Sequence, residues 1–416
     1  MRIVIIGNSA AGLSCLEAFR KLDQNSSVTV ISKESSRPYS RVLLPYFLRG
    51  KIPHSNLFIR DDDYYQDHNA ECIQGRVVKL DPSLRRVVLE DGRILEYDRL
   101  LIATGSSPVR PPIPGLEGKG IYNLWSLDDA EALKPYFDKG GQVAVIGAGF
   151  ISLQAAWAAL YRGLNVRVLE LLPRIMPKVV DDRCAQILTR QMKAMGVDIR
   201  VGTITENIER TAEGSFILHL KGGEAVGADF IVVGAGVRPN IDFLRGTDIK
   251  VEQGIVVNNQ METSIHGIYA AGDVAQVPSV LEAKSVVHAL WPTAVKSGRI
   301  AGTNMAGERA LYAGSLNMNV TQMFDLTVAS MGDFIETDGM ETWSEDDTDN
   351  QYFKILLRNG IPVGAVSAGS SERASTLGLL QPLISEKIHV GAQPGRLKSI
   401  VAQNLVYHHQ AYRKQG

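Results

Sequence analysis

The sequence predicts an α/β protein built of two similar three-layer units, with a smaller α+β domain towards its C-terminal end. Three observations carry this expectation. A short β-branched strand runs into a glycine turn and a helix twice, at "RIVIIGNSAAG" and at "VAVIGAGFIS", and the first glycines, Gly7 and Gly147, stand 140 residues apart. Each of these units is followed by a second strand of the same kind, "VTVI" from Val28 and "VRVL" from Val166. After about residue 315 the pattern changes to strand-like "YFKILLR" and "PVGAVSA" with a helical run "RASTLGLLQPLIS", and no glycine loop recurs. At roughly 150 residues per domain, a chain of 416 residues has room for two or three.

The four strands are apolar on both faces, as buried parallel strands are, and a helix-compatible run joins each pair into a βαβ unit. The first loop, "GNSAAG", is a G-x-S-x-x-G variant of the dinucleotide fingerprint. Gly7 permits the tight turn, Gly12 lets helix and strand approach closely, and the helix start offers free N–H groups to a pyrophosphate. A bare strand–helix turn is the alternative for so short a signal. The second loop, "GAGFIS", keeps Gly147 and Gly149 but has Ser152 in the place of a third glycine. Glu170 follows 23 residues after Gly147, at the end of the next strand, where a carboxylate accepts hydrogen bonds from an adenosine ribose or is simply a charged strand end. Together they read as two Rossmann-like nucleotide-binding domains plus a smaller C-terminal α+β domain. The acidic stretch "ETWSEDDTDN" reads as a solvated hairpin or loop, with docking as the alternative.

Composition narrows the classes further. A formal net charge of -1 gives no support to a nucleic-acid or anionic-membrane partner. Cys15, Cys72 and Cys184 stand far apart without a CxxC pair, which points to reduced thiols in a cytoplasmic protein and to no metal site. No apolar run approaches the length of a membrane span, and the first strand is too short for the core of a signal peptide.

Three further stretches, in this order along the chain, are "YDRLLIATGSSP" (97–108), "DFIVVGAGVRPN" (229–240) and "METSIHGIYAAGDVA" (261–275). They resemble the motifs of the FAD-dependent pyridine nucleotide-disulfide oxidoreductase superfamily. The segments "RPYSRVLLPYFLRGK", "PRIMPKVVDD" and "LWPTAVKSGRIAGTNMAG" are most similar to its branch of NADH:rubredoxin reductases, ferredoxin reductases and nitrite reductase flavodomains. The resemblance implies an FAD-binding domain from residues 1–114 and 246–314, an NAD(H)-binding domain over 115–245 and a C-terminal domain over 315–416. The first glycine loop would then hold FAD and the second NAD(H).

Carried over residue by residue, the resemblance assigns Gly7, Ser9, Ala10, Ala11 and Gly12 to the FAD pyrophosphate and Val77 to adenine. Arg41, Ala103, Thr104 and Gly105 would lie beside FAD. Gly272 and Asp273 match the late flavin motif, where Asp273 accepts from a ribityl hydroxyl; a helix N-cap is the plainer role for that aspartate. Trp291 would open a helix, with Pro292 in its first turn, whose positive end faces the flavin pyrimidine. Gly147, Gly149, Phe150, Ile151, Glu170 and Gly236 would hold NAD(H).

The chain also departs from the pattern. The acidic residue expected near the end of the second strand falls at Ser32, so ribose recognition shifts to Ser32, Lys33 or Glu34. Gln154 stands where a glutamate usually faces the nicotinamide; it is the candidate among catalytic residues, or else a polar residue on a helix face. Val42 takes the position of the redox cysteine, and Cys15 reads as a packed apolar residue. Hydride would therefore reach the flavin without a visible thiol relay. The implied activity is an FAD-dependent NADH:acceptor oxidoreductase whose partner is an iron–sulfur protein or a subunit of a larger oxidoreductase, in an oligomer or hetero-complex. A cysteine-independent NADH oxidase and an NADH-sensing flavoprotein without enzymatic turnover are the alternatives. The tail "VYHHQAYRKQG" offers aromatic and basic residues for docking, or is a frayed terminus.

Overall fold

A computed structural model describes the chain over residues 1–391, apart from 283 and 349; the tail from 392 onwards, "VYHHQAYRKQG" included, lies outside the described residues. The chain divides into two compact units. The first comprises Met1–Leu44, Ile52–Pro108 and Val237–Ser315, and the second Pro45–Lys51, Val109–Gly236 and Leu316–Gly416.

The first unit is built on a five-stranded parallel sheet in the order Ile268–Ala270, Arg99–Ile102, Arg2–Ile6, Ser27–Ser32, Ala70–Gln74. Its inner strands are buried on both faces, which explains their unbroken β-branched sequences. The Ala10–Arg20 and Trp291–Met305 helices pack on each other in this unit, and the small residues of the second explain how closely. A Cβ at Gly298 would meet Ala11 O at 2.2 Å, and one at Gly302 would meet Cys15 O at 2.3 Å. An antiparallel sheet of Val77–Asp81, Arg86–Leu89 and Ile94–Glu96 closes onto the same core.

The second unit repeats the plan. Its parallel sheet runs Asp198–Arg200, Asn165–Leu169, Gln142–Ile146, Phe230–Val233, Ile121–Tyr122. The first four correspond strand for strand to the first unit's sheet, so the duplication read from the glycine loops extends to the sheet order. An antiparallel sheet of Thr205–Arg210, Phe216–Leu220 and Ala225–Ala228 shares this core.

The same unit contains an antiparallel five-stranded sheet ordered Met318–Met323, Leu326–Gly332, Ile361–Gly369, Gln351–Arg358, Met340–Thr348. The acidic stretch is thus an edge strand of a hairpin and not a loop: Trp343 packs edge-on to Phe353 across the pair, an anchor that charge content alone conceals. The run "RASTLGLLQPLIS" forms two helices, Ser371–Gly378 and Leu380–Ser385, instead of one. A buried polar cluster ties the Asp182–Ala194 helix to this sheet. Asp181, the helix N-cap, accepts from Cys184 N at 3.0 Å, from the Tyr352 hydroxyl at 2.8 Å and from Lys354 Nζ at 2.6 Å.

A candidate flavin and nicotinamide nucleotide site

Among the described α-helices of eight residues or more, the N-termini fall into two groups. Ser126, Asp181 and Ser370 each accept a hydrogen bond from their own first turn, as N-caps do. Ser9, Gly149 and Leu290 provide no side-chain cap. Ser9 is chemically suited to the role and still leaves it unfilled. The three uncapped starts belong to the two glycine-loop helices and to the Trp291–Met305 helix, and their first-turn N–H groups are the donors that an anionic ligand needs.

In the first unit the loop from Gly7 to Gly12 is forced into its path by close contacts. Gly7 has φ +125°, its N–H donates to Ile31 O, and a Cβ there would sit 2.0 Å from Ala103 O. A Cβ at Gly12 would sit 1.9 Å from Gly7 O, so both glycines are sterically required. Ala10 and Ala11 line the buried first turn, and Gly272 comes up against Ala11 while donating its N–H to Ser297 Oγ at 3.1 Å. Val77 starts its strand as a buried residue, and Trp291 is the first residue of its helix, with Pro292 in the first turn.

The end of the second strand resolves the substitution at Ser32. The Ser32 hydroxyl donates to Glu34 O at 2.7 Å, and the Glu34 carboxylate accepts from Tyr39 and Arg41, each at 2.5 Å. Burial raises this carboxyl, but Arg41, Tyr39 and Lys33 outweigh burial and hold it below its ordinary range. Glu34 is the carboxylate at this strand end, two residues along the chain from Ser32, and it is already engaged by Tyr39 and Arg41. Asp273 is half-buried; its desolvation pushes its carboxyl up, against the hydrogen bond from Ser106 and the charge of Arg41. A desolvated carboxylate needs donors, and sugar hydroxyls are donors of the right kind.

Sequence motifs did not reveal the role of Asn240. Its N–H donates to Gly105 O and its Nδ2 to Thr104 O, while the Thr104 hydroxyl donates to Asn240 O, each at 2.9 Å. Ser107 Oγ donates to Asn240 Oδ1 at 2.7 Å. Asn240 thereby locks the two-stranded ribbon of Ser106–Pro108 and Val237–Pro239. The signal was present, because Thr104 and Asn240 are both in the quoted motifs, but their pairing is not local.

In the second unit the missing third glycine is explained by an exchange of partners. The Ser152 hydroxyl donates to Gly234 O at 3.0 Å, and a Cβ at Gly234 would sit 2.1 Å from that hydroxyl oxygen. The glycine needed for close packing is on the facing strand. A Cβ at Gly149 or Gly236 would meet nothing within 4 Å, leaving room beside the loop that Gly147 begins. Phe150 and Ile151 form the first turn of the helix. Glu170 is buried and accepts from Ala148 N at 2.5 Å and from Leu172 N at 2.8 Å, so its carboxylate is fixed against the glycine loop. Arg174 is turned away, ion-paired with Asp182 at 2.7 Å and bonded to Val180 O and Pro177 O. Gln154 is not a surface residue of its helix. It is buried, its Nε2 donates to Thr321 Oγ1 from the C-terminal sheet, and its Oε1 has no protein partner.

The thiols stand elsewhere. Cys15 is fully buried with Sγ 3.7 Å from Met305 Sδ, and Cys184 is fully buried with Sγ 3.6 Å from Ser367 O. Cys72 lies half-buried in the Ala70–Gln74 strand. Burial raises all three thiols above their ordinary range. Val42 stands exposed in the Arg41–Leu43 turn.

Two glycine-loop βαβ units with anchored carboxylates, and a third open helix start, define a flavin- and nicotinamide-dependent oxidoreductase, and the residues present fit both nucleotides. The family model for pyridine nucleotide-disulphide oxidoreductases matches residues 1–298, and that for the rubredoxin NAD+ reductase C-terminal domain matches 318–387. The chain belongs to the pyridine nucleotide-disulphide oxidoreductase family and is an FAD-dependent NAD(H) oxidoreductase. It is 30% identical over 369 residues to subunit epsilon of the NADH-dependent phenylglyoxylate dehydrogenase of Aromatoleum evansii, covering 88% of this chain and 87% of that one. It is 31% identical over 344 residues to an NADH oxidase of Methanocaldococcus jannaschii, covering 80% and 76%. A NAD-dependent persulfide reductase from A. fulgidus superposes with a TM-score of 0.88 at 25% identity, covering 99% of this chain and 84% of that one. No described helix is long and apolar enough to cross a membrane, and the described residues contain no group of three or more His, Cys, Asp or Glu that could hold a metal ion.

Proposed function

We propose that this protein takes hydride from NADH onto FAD and passes the electrons to an iron–sulfur protein or to a partner subunit of a larger oxidoreductase. The observation that carries the reading is the set of three uncapped helix starts beside fixed carboxylates, in a chain whose Cys15 and Cys184 are withdrawn by burial. In this reading residues 1–114 and 246–314 bind FAD, 115–245 bind NAD(H), and 315–416 complete the enzyme.

FAD, when bound, accepts a hydride and can give up its electrons one at a time. The protein's part is binding and orientation. The Ser9 and Leu290 helix starts offer N–H groups to the pyrophosphate and to the electron-rich edge of the flavin ring, while Asp273 accepts from the sugar chain. The Gly149 helix start holds the nicotinamide nucleotide's pyrophosphate, and Glu170 accepts from its adenosine ribose. Gln154, expected as the catalytic candidate, is instead buried and bonded to Thr321, so it is given no part in the hydride step. A relay through sulfur would need a thiolate, and the buried Cys15 and Cys184 resist forming one. Three free cysteines suit a reducing cytoplasm, and the likeness to a dehydrogenase subunit supports work in a hetero-complex.

The test is purification with native partners, followed by an acceptor screen under steady NADH. Rapid reduction of an iron–sulfur acceptor with little peroxide supports the reading. Fast peroxide formation with no protein acceptor would favour an oxidase, in line with the methanogen relative's name, and slow turnover with every acceptor would point to a sensor.

A further inference from the structure

Asp273 is the carboxylate of the late flavin motif assigned to FAD, and Ser106, which donates to it, lies outside that motif. Ser106 is buried at 7% exposure and donates its hydroxyl to Asp273 Oδ2 at 3.0 Å, across 167 residues of sequence. A serine hydroxyl rotates freely, so on a loose strand it would make a poor orienting group. Here the strand is held on both sides of the serine. Asn240 binds Thr104 and Gly105 before it and Ser107 after it, and Ser106 itself stands in register with Pro239 in the ribbon. Its Oγ therefore reaches Asp273 from a fixed backbone.

We propose that Ser106 is a positioning residue of the flavin site, orienting the Asp273 carboxylate so that its remaining lone pairs face a hydroxyl of FAD. The inference rests on the assignment of Asp273 to FAD. A carboxylate has about four acceptor positions, and fixing one of them from the protein side directs the rest towards the ligand. The charge of Arg41 is the other favourable influence on this carboxylate, against the burial that opposes its ionisation. Removing the Ser106 hydroxyl leaves burial opposed by Arg41 alone, so the carboxyl takes up a proton at a higher pH. A protonated Asp273 is the weaker acceptor.

The experiment removes FAD from the purified protein and titrates it back by flavin fluorescence between pH 5 and pH 9, for the wild type and for Ser106→Ala, Ser106→Thr, Asp273→Asn and the Ser106→Ala/Asp273→Asn pair. Circular dichroism of each apoprotein checks folding. Ser106→Ala is expected to weaken FAD binding about tenfold near neutrality, to move the pH at which FAD is lost upwards, and to be rescued by Ser106→Thr. In the Asp273→Asn background, Ser106→Ala should cost nothing further. An affinity loss equal at every pH, or one of the same size in the Asp273→Asn background, would overturn the proposal while leaving Asp273 in place. Wild-type FAD affinity in Asp273→Asn alone would instead remove the assignment of Asp273 to FAD, and with it the role of Ser106.

Discussion

If Glu170 holds the adenosine ribose as proposed, the coenzyme follows from where Glu170 and Arg174 point, and both are held by protein partners. Glu170 spends one lone pair of each oxygen on a backbone N–H, at 2.5 Å and 2.8 Å, and in the proposed reading the others accept from the two ribose hydroxyls of NADH. A 2'-phosphate would replace one hydroxyl and bring like charge against the carboxylate. At 4 Å and an effective dielectric near 20, repulsion between two unit charges is about 4 kcal/mol. Solvent at the ribose edge reduces this, and about 1.4 kcal/mol, a factor of ten, is the least that should remain. Arg174 is the cation that would reverse the preference. To reach a phosphate it must release Asp182 and two backbone carbonyls, at 2.7 Å and 3.1 Å, and hydrogen bonds to charged groups are worth about 1.5–3 kcal/mol each. We expect kcat/KM for NADH to exceed that for NADPH by more than tenfold. Glu170→Gln should shrink that ratio and raise the KM for NADH, while Arg174→Ala should leave the ratio unchanged. Equal use of the two coenzymes, or an Arg174→Ala variant that changes the ratio, would falsify the reasoning.

Other outcomes follow from the same geometry. With Cys15 and Cys184 buried and Cys72 half-buried in the Ala70–Gln74 strand, the enzyme should take up one two-electron equivalent of dithionite per FAD without a long-wavelength charge-transfer band, and alkylation under native conditions should leave acceptor reduction intact; uptake of four electrons would show that a thiol communicates with the flavin. Gly12→Ala places a Cβ 1.9 Å from Gly7 O, so the variant should purify colourless or insoluble, and a yellow, wild-type-like protein would show that the loop relaxes cheaply. Lys354→Ala leaves the buried Asp181 carboxylate without its cation; denaturant unfolding should report a loss of about 3 kcal/mol, as for other broken buried pairs, and a loss under 1 kcal/mol would show that Tyr352 and the Cys184 N–H suffice.

Local signals were legible where one stretch of chain determines one element. The strands read at Arg2, Val28, Val143 and Val166 formed in place because unbroken β-branched runs next to glycine turns allow little else, and Pro292 marked a helix start because its fixed φ suits the first turn. What stayed hidden depends on residues far apart. Ser152 looked like a defect in a glycine loop until Gly234, 82 residues on, accepted its hydroxyl. Arg174 had an open conformational choice in sequence that Asp182 closes, and Gln154 looked like a helix-face residue until Thr321 met it from the C-terminal sheet. The acidic stretch was legible only as a hairpin or a loop; it is the hairpin, and its charge fits because an edge strand tolerates charge that an inner strand would not.

The strand order of the first unit also constrains when each sheet can close during synthesis. Its parallel sheet begins with Arg2–Ile6 but needs Ile268–Ala270 to finish, and the helix packed against Ala10–Arg20 ends at Met305. The second unit's parallel sheet needs nothing beyond Val233. On the ribosome the later-starting sheet can therefore be completed first, while the N-terminal glycine loop waits, its apolar strands without their final neighbours, for a stretch of chain more than 250 residues downstream. The opening segment is thus the most exposed to misassembly while the chain is being made, and the site proposed for the flavin cannot form until the chain has passed Met305.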